Sequence, residues 1–115
     1  NFIYNNIIYN SDGGIINGAN EKAIVINNIV ASTTIPFSGA YAAGTDYNAC
    51  DIDDTPGTGT HNATSAVFGF VSTTTGAEDF HLASTDVGAR DRGFDITSSS
   101  TLNVITGITT DIDGQ

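Results

Sequence analysis

Three aspartates set close together, Asp51, Asp53 and Asp54, form the densest cluster of chemistry-bearing side chains in this sequence. Carboxylates are hard oxygen ligands, so such a cluster can hold calcium. Arg90 and Arg92 flank Asp91 further along the chain. An arginine beside a sugar acid, with a carboxylate pair for acid–base work, would suit polysaccharide cleavage. A cleavage site needs those groups to converge, yet the acids lie in a loop-like stretch and the arginines in a turn-like one. Solvated loop acids and an Asp91–Arg92 turn pair are the simpler expectation, and no catalytic residue is assigned. Asp111-Ile112-Asp113-Gly114 opens like a calcium loop but lacks the further ligands and closing Glu. His61 and His81 have no Cys or spaced carboxylate partner of the kind metal sites use. There is no phosphate-loop glycine pattern and no G-x-S-x-G elbow. Asn62-Ala63-Thr64 fits a glycosylation sequon. Tyr4, Tyr9, Tyr41 and Tyr47, if they share one face, could stack on sugar rings; otherwise they pack at strand edges with solvated hydroxyls.

Composition narrows the classes. The chain has 115 residues and a net charge of −10, with Lys22, Arg90 and Arg92 its only Lys or Arg side chains. Three cations cannot make the basic face that nucleic acid or an anionic membrane surface requires. No apolar run is long enough to span a bilayer as a helix. The lone Cys50 has no internal disulfide partner and is expected to be a small buried side chain. Asn, Thr, Ser and Gly replace most of the usual charged residues, and the core must come from Ile, Val, Phe, Tyr, Leu and Ala. Both choices favour turns and strands over helices. The chain opens at Asn1 inside an apolar run, without Met or leader. That start predicts a processed product or a fragment.

The elements that must position these residues show one internal echo. Phe2–Asn10 is repeated by Ile24–Ser32, so that at an offset of 22 Ile3 meets Val25, Asn5 meets Asn27, Asn6 meets Asn28 and Ile7 meets Ile29. Between the copies lie the turn signals Ser11-Asp12-Gly13-Gly14 and Asn17-Gly18. A period of this length marks stacked repeats. Stacking at about 4.8 Å would set each strand in a parallel ladder on its copy, with amide ladders of Asn5 on Asn27 and Asn6 on Asn28. Chance similarity between two strands of a β-sandwich is the alternative. Further strands are expected at 46–52, 66–71, 80–82 and 102–105, with no helix of ten or more residues.

The run Asp79-Phe80-His81-Leu82 through Gly93, with Ser84, Ala89 and Asp91, resembles a signature near the end of right-handed parallel β-helix proteins of the pectate-lyase-like superfamily. The likeness is to its choice-of-anchor and phage-associated members in particular. Asp111-Ile112-Asp113-Gly114 is similar to the element that follows it there. Asp46–Cys50, Pro56–Gly59 and Phe68–Val71 resemble the preceding loop and strand, so the likeness spans roughly 46–115. Arg90 and Arg92 depart from the small residues usual at that turn, and the chain stops before the usual closing segment. The resemblance implies one β-helix segment over 1–115, regular and Asn-rich over 1–45 and looser over 46–115, in about five coils. It also implies a secreted, cell-surface or virion protein. The function expected is a non-catalytic structural or adhesive segment that binds glycans or stacks into a fibre. Its partners would be upstream coils or another copy of the chain at the N-terminal end, and polysaccharide. The alternative is a fragment of a polysaccharide lyase or glycoside hydrolase, with calcium the one cofactor considered.

Overall fold

The computed structural model describes residues 1–20, 22–54 and 56–96. Every regular element within them is a short strand. Three lie in the first sixteen residues: β1 (Phe2–Tyr4), β2 (Ile7–Tyr9) and β3 (Gly13–Ile16). A second set follows in the same order, β4 (Ile24–Ile26), β5 (Ile29–Ala31) and β6 (Ile35–Ser38), and then β7 (Ala49–Cys50). β8 (Phe70–Ser72) and β9 (Asp79–Leu82) come last. Strand length is set locally. β1, β2, β4 and β5 each end where the next residue turns left-handed: Asn5 (φ 55°), Asn10 (φ 53°), Asn27 (φ 57°) and Ser32 (φ 54°). Short polar side chains visit that region at low cost because they can hydrogen-bond locally.

The second set lies beside the first in parallel register. Ile3 pairs with Val25, Ile7 with Ile29 and Ile15 with Phe37. β7 adds to β5 through Ile29↔Ala49 and Val30↔Cys50, and a single bridge joins Ala49 to Ala63. β8 and β9 instead pair antiparallel.

This arrangement overturns the expected right-handed parallel β-helix of about five coils. The strands fall into four separate sheets of two or three strands, with β8–β9 antiparallel. The physical cause lies in the spacing. The 22-residue offset of Ile7 and Ile29 falls to 20 for Ile29 and Ala49 and to 14 for Ala49 and Ala63. A shrinking loop cannot carry three strands around the same path. The β-sandwich alternative fails as well, because three of the four sheets are parallel. The strands expected at 46–52 and 66–71 shrink to β7 and β8. The expected strand at 102–105 and the Asp111–Gly114 element lie outside the described residues.

One core holds Ile15, Ala23, Val25, Val30, Phe37 and Cys50, with Ile3, Ile8 and Tyr41 packed against it. A second joins Ile26 and Ile96 with Tyr4, Ile24 and Phe94. Cys50 donates toward the Ile52 and Asp54 carbonyls, and burial pushes its thiol pKa up, so it is a packed, unreactive side chain. Gly14 sits at a close approach, since a Cβ there would overlap the Pro36 carbonyl oxygen and the Val30 side chain.

An asparagine ladder runs beside the β2–β5–β7 sheet. Asn6 Nδ2 donates to Asn28 Oδ1 (2.9 Å), Asn28 Nδ2 to Asn48 Oδ1 (3.0 Å) and Asn48 Nδ2 to Asn62 Oδ1 (3.2 Å). Each backbone N–H of the first three also donates to the next Oδ1, at 3.1, 3.1 and 2.9 Å. Each of those amides further caps the carbonyl two residues back. Asn28 and Asn48 are only 1% exposed, so these bonds decide whether burial is tolerable. A buried amide left unpaired would cost about 1–3 kcal/mol. The ladder column is therefore Asn6, Asn28, Asn48 and Asn62. Among the described residues no hydrogen bond joins Asn5 to Asn27.

Candidate functional site

The ladder residues are each preceded by one that faces a different fate: Asn5, Asn27, Tyr47 and His61. Tyr47 takes the left-handed conformation of Asn27 (φ 59° against 57°). A bulky side chain pays for that conformation where asparagine does not. Its ring stacks on His61 at 4.5 Å between centroids and 2° between planes, and lies 5.1 Å from Phe94.

Asp46 holds this pair in place. Its Oδ1 accepts the Tyr47 and His61 backbone N–H groups at 2.9 and 2.8 Å, and its Oδ2 lies 2.8 Å from His61 Nδ1. A carboxylate accepts, so Nδ1 carries the proton and Nε2 is the imidazole's second polar atom. Burial raises the Asp46 pKa, but the bonds from His61 and the Tyr47 backbone outweigh it and hold the carboxyl below its ordinary value. Gly59 makes room, because a Cβ there would overlap the Asp46 carboxylate.

The facing segment is anchored twice. Asp86, 8% exposed, accepts backbone N–H groups from Gly69 (2.6 Å), Ala89 (2.9 Å) and Arg90 (2.8 Å). Burial again raises this carboxyl, and the backbone donors prevail and lower its pKa. Asn27 then brackets Phe94, with Nδ2 donating to its carbonyl and Oδ1 accepting its N–H, both at 2.7 Å. Between the two sides lies a cleft of about 80 Å³, lined by Asn27, Tyr47, Asn48, His61, Arg92 and Gly93 among others. Arg92 is exposed and makes no ion pair among the described residues. Stacking surface, hydrogen-bonding groups and one positive charge thus meet in one small concavity.

The residues singled out by sequence are dispersed. Tyr4 packs in the second core. Tyr9 contacts Phe70 and Phe80, tying β2 to the β8–β9 pair. Tyr41 lies against the main core, and its hydroxyl donates to the Ile15 carbonyl (2.6 Å) while accepting the Ser38 N–H (2.9 Å). Tyr47 alone of the four lines the cleft. Asp51 and Asp54 each accept a backbone N–H, from Ser32 and Phe37, while Asp53 is exposed. Among the described residues no group of three or more His, Cys, Asp or Glu converges as a metal site. Arg90, not Arg92, approaches Asp91, at 3.9 Å, and it also donates to the Ser84 carbonyl. His61 and His81 each pair with a different carboxylate, Asp46 at 2.8 Å and Asp79 at 2.6 Å, and neither pair is a metal site among the described residues. Neither residue type nor spacing singles out Asp46, Asp86 or the bracketing role of Asn27. The available signal was the recurrence of Asn at 6, 28, 48 and 62, preceded by Asn, Asn, Tyr and His.

No protein-family model, no curated protein and no solved structure matches this chain. The resemblance drawn on residues 46–115 therefore rests on those residues alone.

Proposed function

We propose that this chain is a non-catalytic structural and adhesive segment of an extracellular or virion-surface protein, and that it associates with another copy of itself by strand addition. The observation that carries this reading is the open side of the first three strands. β1, β2 and β3 each have one strand neighbour among the described residues. Ile3 and Ile8 on them are half-buried where their register partners Val25 and Val30 in the next layer are fully covered, and Phe2, Ile7 and Ile16 are 38%, 42% and 60% exposed. Unpaired edges carrying apolar side chains template further pairing.

The ladder adds direction. Each asparagine donates to the next Oδ1, so Asn6 offers an Oδ1 that accepts no hydrogen bond among the described residues. At the other end the Asn62 N–H has no acceptor among them. An acceptor end and a donor end suit head-to-tail contact, which need not close into a ring. The net charge of −10 opposes such contact at low salt.

Light scattering at increasing protein and salt concentration tests this. Mass should grow with both, and Ile7→Lys with Ile16→Lys should return the chain to monomer. A wild-type monomer at high concentration and high salt would sink the reading. Calcium at Asp51 alone is a smaller part of it, supported by a buried Asp51 Oδ1 without a partner among the described residues, since Asp53 and Asp54 do not converge on it. An unchanged melting temperature on adding calcium would remove that part.

A further inference from the structure

We infer that the Tyr47–His61–Arg92 cleft is a binding site for a small carboxylate-bearing ligand, distinct from the strand edge. Tyr47 carries a local cost. Three successive layers place a left-handed residue just before the ladder asparagine, and two use Asn while the third uses Tyr47. Asparagine would satisfy the backbone more cheaply at that position. A strained residue whose replacement would ease the fold points to a role outside the fold.

What Tyr47 provides is a platform. It backs the His61 ring, whose side chain stays 58% exposed, and Asp46 fixes that ring's tilt through Nδ1. Nε2 is left for a ligand, with no partner among the described residues. Across the cleft Arg92 carries a guanidinium without an ion pair among them, in a chain of strong negative charge. A guanidinium matches the two oxygens of a carboxylate. Among the described residues no acid lines the cleft, and Asp46, which holds the His61 ring, is already engaged by three donors. Both walls are built before any ligand arrives: one by Asp46, the other by Asp86 and the Asn27–Phe94 bracket. Such preorganisation lowers the cost of binding. The volume of about 80 Å³ suits one carboxylate group and part of a flat ring rather than a long ligand.

The test titrates the full chain with benzoate, benzamide, inorganic phosphate and glucuronate, followed by NMR of the His61 and Arg92 resonances. Benzoate is expected to shift both and benzamide neither. A stronger response to glucuronate than to benzoate would identify a sugar acid as the source of the carboxylate. Arg92→Gln should weaken binding about ten-fold or more, as loss of a charge-assisted contact does. Tyr47→Asn is the deciding variant: it should keep or raise the melting temperature while weakening binding. The proposal is overturned if benzamide or phosphate matches benzoate, if Arg92→Gln binds as the wild type does, or if Tyr47→Asn melts markedly lower. That last result would make Tyr47 a packing residue.

Discussion

Residues 1–50 and residues 63–96 solve the problem of buried polar groups in opposite ways. In the first region the chain is its own partner. Copies lie side by side in parallel, and Asn6, Asn28 and Asn48 pass one hydrogen-bond pattern from layer to layer. In the second region no copy is available. β8 and β9 pair antiparallel, aromatic rings fill the space beneath them, and one carboxylate, Asp86, gathers the surrounding backbone donors. A repeated arrangement spreads its support over many equivalent bonds. A singular one concentrates it in a few residues.

The largest effect is expected at the centre of the ladder. Asn28→Ala removes the acceptor for both the backbone and side-chain N–H groups of Asn6 and takes the side-chain donor away from Asn48 Oδ1 and from the Ile26 and Ile3 carbonyls. A loss of about 3 kcal/mol in denaturant unfolding is expected, with the whole first region losing amide protection together. Retained protection in β1 and β2 would break the idea that the layers share one support.

Asp86→Asn comes next, at about 2 kcal/mol, because an amide nitrogen would face backbone N–H donors. Hydrogen exchange should show 69–70 and 86–94 opening first while the ladder amides stay protected. Equal loss in both regions would erase the contrast drawn here.

Acid supplies the gentlest probe. Asp46 and Asp86 both have folded pKa values held below the ordinary carboxylate range. Depressed values stabilise the fold above the unfolded pKa of about 4, and the contribution is lost as pH falls through the folded values. The cleft and the Asp86 turn should therefore loosen below about pH 4, ahead of the ladder, whose asparagines do not titrate. Near-ultraviolet circular dichroism of the Tyr47–Phe94 environment can follow this. Loss of the ladder's amide protection in the same step would contradict it.

The amino-acid sequence alone determined the all-β character, the short strands and the pairing of β1 and β2 with β4 and β5. These follow from nearest-neighbour chemistry: apolar triplets stopped by residues that turn left-handed, repeated at one spacing so that like can lie on like. Asn28 and Asn48 belong to the same category, since a repeated turn residue followed by Asn is visible in the sequence once the columns are aligned. Sequence could not reveal where the repetition ends. The loss of the 22-residue spacing after Ile29, the antiparallel β8–β9 pair and the bracket of Asn27 on Phe94, 67 residues away, depend on contacts between unlike segments. The cleft is of that second kind. Tyr47 and His61 each precede a ladder asparagine, whereas Arg92 comes from a stretch outside that pattern. They meet because the Asp46 and Asp86 carboxylates each draw a turn tight by accepting its backbone N–H groups, and only the folded chain brings those two turns face to face.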